Sequence, residues 1–518
     1  MSKQTFLHGA LILVLAGLIT RVLGFINRIV VARVMGAEGV GLYMMALPTL
    51  ILAITITQFG LPVAISKRVS EAEAVGDEKK IKRILIVSLA VTGSLSILFT
   101  IGLFVLSPVV AHYFLTDSRA IYPLMAVTPI IPITAVSAVV RGYFQGRQNM
   151  KPQAISQVIE QVVRIGGVIV LTKLLFPYGV QYAAAGAMAA VVLGEFVSLI
   201  YMVKQFNTHK RFNIRKSWSQ HWNKAKTTLN ELMTIALPTT GSRFIGSLTY
   251  FFEPILVAQS LAIAGIAVAE STKLYGELTG YILPLLFLPT FLTHALSIAL
   301  VPSISEAGAK GKNDIIHYRI MQSIRLSLAS GGVITIVFMI FPALILKTIY
   351  NTDDAAFMFQ FMAPFFLLHY IQTPLQASLQ ALDLAKPAMW NTLIGAIIKF
   401  IVLFSLSSQP EFGIHGVAIA MVVGIVVVTF LHLGVLIKQK VIVFPFILFF
   451  RFTMIVSITG VVGFAWKHHW LDPGKPLSQL LVMGSTLTVL YFGLLFAFKL
   501  LNKDEWKMIP WHKILPKK

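Results

Sequence analysis

Arg21 and Arg28 fall seven residues apart inside the first apolar stretch of the chain, with Gly17 and Gly24 on the same helical stripe. One face of a helix there carries two guanidinium forks and two gaps in side-chain cover. Facing lipid, each arginine at the bilayer centre costs roughly 2.5–3.5 kcal/mol on insertion scales, so the pair has to face a bundle interior or a wet cavity. Such a cavity suits an anion, because a guanidinium fork matches an oxyanion bidentately. Arg243 belongs with them, since Ser242-Arg243-Phe244-Ile245-Gly246 repeats the pattern of Thr20-Arg21-Val22-Leu23-Gly24. Glu253 follows ten residues later, directly before Pro254, and either lines the same cavity or pairs with an arginine. Arg21, Arg28, Arg243 and Glu253 are the candidate substrate-binding set.

Other ionisable residues inside apolar stretches are candidates for coupling or for structure. Glu160 and Arg164 are spaced for an i to i+4 salt bridge. Lys399 occupies the position equivalent to Arg164 in an internal repeat but has Gly395 where an acid would sit, so its partner comes from elsewhere, with Asp383 the acid proposed. Glu195 is a lone acid, either a proton site or a buried partner. Signs of enzyme chemistry are missing. There is no G-x-x-x-x-G-K-[ST] phosphate loop and no H-E-x-x-H, and Gly308-Ala309-Lys310-Gly311-Lys312 has the wrong spacing. With no cysteine, thiolate metal sites and disulfides are excluded. The expectation is no catalytic residue, no metal and no cofactor. A membrane glycosyltransferase would want acidic pairs in outer loops, and Asp353-Asp354 is the only one.

The elements that must position these residues are membrane helices. The chain is 56% hydrophobic and only 12% charged over 518 residues, where a soluble domain carries about 25% charged residues. Apolar runs bounded by polar breaks predict an all-α polytopic membrane protein of about fourteen spans, beginning near Leu7, Leu42, Ile84, Ile121, Pro152, Tyr182, Leu232, Lys273, Ser323, Phe357, Pro387, Gly413, Phe446 and Leu477. Lys and Arg crowd alternate loops, such as Lys79, Lys80, Lys82 and Arg83, or Lys310, Lys312 and Arg319, while the opposite loops hold little beyond Arg119, Lys173, Lys347, Lys467 and Lys475. By the positive-inside rule both termini are cytoplasmic and the span count is even. The net charge of +22 is thereby dispersed over loops, which argues for contact with anionic lipid and against nucleic acid.

The repeat itself is legible by subtraction. Gln145, Lys151, Pro152 and Arg164 recur 235 positions later as Gln380, Lys386, Pro387 and Lys399, and the offset drifts from 222 near Arg21 to 239 near Ile65. The expected organisation is two six-helix parallel-repeat lobes plus two C-terminal helices: an N-lobe at 1–205, a basic cytoplasmic linker at 206–231, a C-lobe at 232–437, two further spans at 438–500 and a basic tail at 501–518. Trp218 and Trp222 in the linker suit an interfacial helix. Gly142-x-x-x-Gly146 and Gly276-x-x-x-Gly280 allow close helix approach.

Thr20-Arg21-Val22-Leu23-Gly24-Phe25 with Val31-Ala32-Arg33-Val34-Met35-Gly36 resembles the first-helix signature of the lipid II flippases and polysaccharide exporters in the multidrug/oligosaccharidyl-lipid/polysaccharide (MOP) superfamily. Gln58-Phe59-Gly60-Leu61-Pro62-Val63-Ala64-Ile65-Ser66-Lys67, Arg141-Gly142-Tyr143-Phe144-Gln145-Gly146 and Leu237-Pro238-Thr239-Thr240-Gly241-Ser242-Arg243 extend the likeness over nearly the whole chain. The resemblance implies fourteen helices, alternating access, and movement of an undecaprenyl-pyrophosphate-linked peptidoglycan precursor across the cytoplasmic membrane for the spore cortex, with cell-wall synthesis proteins as partners. Gram-negative lipid II flippases carry an Arg-Asp pair where this chain has Asn27-Arg28, and paired arginines where it has Leu52-Ala53. The cationic cavity is thinner here, which leaves room for another lipid-linked polysaccharide. A cation-coupled drug antiporter of the same superfamily is the rival, and it would want acids where the first helix has arginines.

Overall fold

The computed structural model describes residues 6–209, 225–470 and 476–500, and every regular element among them is helical. The chain is an all-helical polytopic membrane protein. The Trp218/Trp222 segment and the basic tail lie outside the described residues. By Cα packing the chain divides into Met1–Gly280 and Tyr281–Lys518.

The first unit holds α1 (Phe6–Gln58), α2 (Leu61–Ala74), α3 (Glu78–Val109), α4 (Ile121–Val127), α5 (Ile130–Gly146), α6 (Lys151–Leu175), α7 (Val180–His209), α8 (Ala225–Ile263) and α9 (Val268–Gly276). Within α1, Gly36 leaves the helical region at φ 68° and ψ −179°. A side chain there would be strained, so glycine sets the break between the two spans that the sequence places in this run. Pro62 sits in the first turn of α2, where its missing N–H has no helical partner to lose.

Large apolar side chains such as Ile97, Leu98, Ile101, Phe104 and Val105 lie exposed along α3. They need no burial when the surrounding medium is lipid. Polar side chains inside the rods satisfy themselves locally: the hydroxyls of Thr57, Thr92 and Thr128 donate to the carbonyls of Ala53, Ser88 and Leu124 one turn back.

Ten helices among the described residues are long and apolar enough to cross a membrane, or eleven if Val268–Leu286 and Thr290–Ala309 form one broken span. This falls below the fourteen expected for two physical reasons. One of the ten, Ala16–Ala74, runs through Gly36 and takes in two expected spans. Elsewhere polar residues dilute the rods, as Gln153, Gln157, Glu160, Gln161 and Arg164 do in α6. All fourteen expected starts nevertheless fall on helical rods.

A shared core of Leu61, Ile65, Val69, Ile84, Leu85, Val139, Tyr143, Phe144, Met202, Phe206, Leu232 and Ala236 joins α2, α3, α5, α7 and α8. Glycines set the approach distances. A Cβ on Gly146 of α5 would lie 2.7 Å from the Ser66 carbonyl oxygen of α2, and one on Gly276 of α9 would lie 2.0 Å from the Ala37 carbonyl oxygen of α1. Gly41 of α1 faces the Thr272 carbonyl oxygen at 1.9 Å from the same vantage. Because the obstructing atoms are backbone, they cannot swing aside. Gly276→Ala is therefore expected to destabilise the protein by about 1–3 kcal/mol through overpacking. A detergent-solubilised variant melting with the parent would show that α9 does not need this contact.

The second unit holds α10 (Leu283–Leu286), α11 (Thr290–Ala309), α12 (Asn313–Ile340), α13 (Pro342–Tyr350), α14 (Ala356–Ala381), α15 (Ala385–Ser407), α16 (Gly413–Lys438), α17 (Phe446–Trp470) and α18 (Pro476–Ala497). Here α12, α14 and α16 pack in series, α15 lies on α16, and α17 and α18 lie on α12. Buried tyrosines stitch them: Tyr370 donates to the Leu286 carbonyl at 2.8 Å and Tyr491 to the Leu328 carbonyl at 2.9 Å. Lys467 reaches the Ile340 carbonyl, a free acceptor at the helix C-terminus, at 2.7 Å.

Candidate functional site

Arg21 and Arg28 are exposed on α1, and Arg243 is exposed on α8, a helix that packs against α1 in the same unit. All three sit well inside their rods, Arg21 midway between Phe6 and Gly36 and Arg243 near the middle of Ala225–Ile263. An exposed arginine at that depth is compatible with water and not with hydrocarbon. No hydrogen bond or ion pair holds these three guanidiniums among the described residues. The stripe around them is open as well, since among the described residues nothing lies within 4 Å of where a Cβ on Gly17 or Gly246 would stand, and only the Gln161 side-chain oxygen, at 4.0 Å, approaches Gly24.

Glu253 is buried on α8. Ten residues of helix separate it from Arg243, about 15 Å along the axis, so the two do not pair. Its charge acts instead on the phenols of Tyr250 and Tyr275, while Arg28 acts on Tyr250 and Tyr43. These three tyrosines went unnoticed in the sequence, where nothing distinguishes them from core aromatics. Asn27 is buried with its side-chain oxygen unpartnered.

Behind this face lies a group of four charges. Glu160 and Arg164 form the i to i+4 ion pair. Arg141 of α5 donates to Glu195 of α7 at 2.8 Å and stands 3.9 Å from Glu160. Glu195 is therefore not a lone acid: it is 5% exposed and carries the Arg141 guanidinium as its partner. Arg141 was visible in the Arg141-Gly142-Tyr143 motif, and the unmatched Glu195 was the signal that could have recruited it. Gly194 makes the meeting possible, because a Cβ there would lie 2.7 Å from the Glu160 carbonyl oxygen and 3.3 Å from Arg164 Cβ.

Lys399 and Asp383 need correction. Asp383 is exposed in the turn before α15, held at φ 60°, and no ion pair joins the two. Lys399 lies fourteen residues into α15, about 21 Å from its start, beyond the reach of that carboxylate. Its ammonium lies 4.9 Å from the Phe400 ring centroid, and its stem packs on Gly424 of α16.

Arg119, read from sequence as a loop charge, bridges Asp117 at 2.9 Å and Glu38 at 2.6 Å, and Thr272 donates to the buried Asp117 at 2.8 Å. This joins α1, α9 and the turn before α4.

Three guanidiniums with no partner among the described residues, set in the middle of membrane helices, give this face the chemistry to hold an anion. The chain belongs to the polysaccharide biosynthesis protein family, whose profile matches residues 6–308. It is 50% identical over 510 residues to stage V sporulation protein B of Bacillus subtilis (strain 168), covering 98% of each chain. It is 25% identical over 514 residues to the lipid II flippase MurJ of the same organism, covering 90% of this chain and 88% of that one. Among solved structures, a lipid II flippase MurJ in an inward closed conformation matches with a TM-score of 0.68 at 14% identity, over 93% of this chain and 98% of the other. An inward-facing multidrug resistance MATE family transporter of the MOP superfamily matches with 0.62 at 14% identity, over 90% and 96%. The chain thus stands with stage V sporulation protein B in that family, as a multi-pass membrane protein with the fold of the MurJ and MATE transporters.

Proposed function

We propose that this transporter flips a polyprenyl-pyrophosphate-linked cell-wall precursor of the lipid II type across the cytoplasmic membrane, for spore cortex peptidoglycan. The observation that carries this reading is the set of three exposed, mid-helix arginines without carboxylate partners, Arg21, Arg28 and Arg243. A pyrophosphate presents several oxyanions to guanidinium forks, and the glycan beyond it occupies water. Both termini are cytoplasmic in this reading, basic loops meet anionic lipid, and the headgroup enters from the cytoplasmic side. The membrane potential favours outward movement of the anionic headgroup, at about 2.3 kcal/mol per charge per 100 mV. Two relatives named for sporulation and for lipid II flipping support the cargo class.

A second cargo, a teichoic or capsular lipid-linked glycan, shares the same pyrophosphate chemistry and is favoured by the thinner cation set at Asn27 and Leu52-Ala53. A drug antiporter is disfavoured because arginines, not acids, line the face. Reconstituted vesicles offered lipid II beside a teichoic precursor separate the first two: lipid II is expected to become accessible at the opposite leaflet faster than the competitor. Movement of the teichoic precursor alone would transfer the assignment to it.

A further inference from the structure

We propose that Arg164 is a further ligand for the anionic headgroup, held in reserve by Glu160 and released to the cargo by an exchange of ion-pair partners. The inference rests on the anion reading above and concerns a residue that reading does not use.

In the four-charge group the pairing is lopsided. Glu195 keeps Arg141 at 2.8 Å, while Arg141 also stands 3.9 Å from Glu160, close enough to take over that carboxylate with a small side-chain movement. Arg164 is thus the one guanidinium of the group whose departure leaves both carboxylates with a cation beside them. Two arginines and two glutamates sum to zero, so when Arg164 turns to a pyrophosphate the charge it leaves behind is shared through Arg141.

The geometry also says where Arg164 can go. Its helix packs on α1, and Gln161, one turn before it, approaches Gly24 on the arginine stripe. The guanidiniums of Arg164 and Arg28 both act on the Tyr43 phenol. A second observation is independent of the ion pairs: the Nε donors of Arg164 and Arg141 are buried without an acceptor. Buried donors are nearly always paired. An oxyanion arriving between α1 and α6 supplies what Arg164 lacks.

The test uses the purified full chain in detergent with farnesyl pyrophosphate as the probe and farnesol as its neutral counterpart. Glu160→Gln removes the competing carboxylate and is expected to tighten pyrophosphate binding by about 5- to 20-fold, the lower part of the usual range for coupled sites. Glu160→Asp, which keeps the charge but shortens the side chain, is expected to tighten it less. Adding Arg164→Gln to Glu160→Gln should erase the gain. Farnesol affinity should not move in any variant. Unchanged or weaker pyrophosphate binding by folded Glu160→Gln or Glu160→Asp overturns the reserve ligand and leaves the Arg28 reading standing. Wild-type protein that binds farnesol as tightly as farnesyl pyrophosphate overturns the anion reading itself, and the exchange with it.

Discussion

Replacing Arg28 with alanine is expected to abolish transport while leaving insertion and abundance near normal, and Arg21→Ala or Arg243→Ala should do the same. The reason is that these side chains hold nothing together in the protein: they are exposed, and no carboxylate or carbonyl among the described residues accepts from them. Removing them therefore strands no buried partner. Under the proposed function, what is lost is a charge-assisted fork on the headgroup, enough to weaken its binding by roughly 10- to 150-fold. Lysine should rescue only in part, being a point charge without the planar fork. The measurement is complementation of spore cortex formation, read beside membrane abundance by immunoblot. Full activity with alanine at all three positions would remove the arginine face from the mechanism.

Arg141→Ala is expected to fail in the opposite way, through stability. Glu195 is almost completely buried and takes its short bond from Arg141. Stripping that guanidinium leaves an uncompensated carboxylate in an apolar surround, a loss of about 3–5 kcal/mol. The folded fraction after detergent extraction should fall sharply, whereas Arg141→Met combined with Glu195→Leu should recover most of it, because an apolar pair of similar volume needs no desolvation. If the double variant is as unstable as the single one, the ion pair is not what Arg141 contributes.

The contrast between these two arginines shows how far the sequence could be read. A pair on one helix is written in its spacing, and Glu160 and Arg164 needed only the i to i+4 rule to be placed together. A pair across helices depends on how each rod is rotated. Spacing along α7 cannot reveal that Gly194 brings α6 within touching distance, nor that Arg141 of α5 faces Glu195. The same limit explains Lys399: Asp383 is an acid close to it in sequence, yet the fourteen residues of α15 before Lys399 carry the ammonium away from it. Helix positions followed from apolar runs, since lipid demands about 20 apolar residues per crossing wherever the rod packs. Polar dilution in α6 lowered that signal without ending the helix. The Arg119 bridge escaped because a loop position says nothing about which chain segments come back to meet it.

The membership of α8 and α9 in the first packed unit bears on how the protein is made. Leu232 and Ala236 complete the core that α2, α3, α5 and α7 begin, and α9 fits the glycine notch of α1, so the body is unfinished when the ribosome has passed His209. Synthesis of the stretch to Gly280 takes roughly 4–14 s at the usual rate of elongation. Through that interval the apolar flank awaiting α8 is covered only by lipid or by the insertion machinery, and the α1 arginines stand without Arg243 of α8 beside them. A ribosome stalled just past His209 would release α1 to α7 with an open seam, a product suited to capture by a membrane-bound quality-control protease.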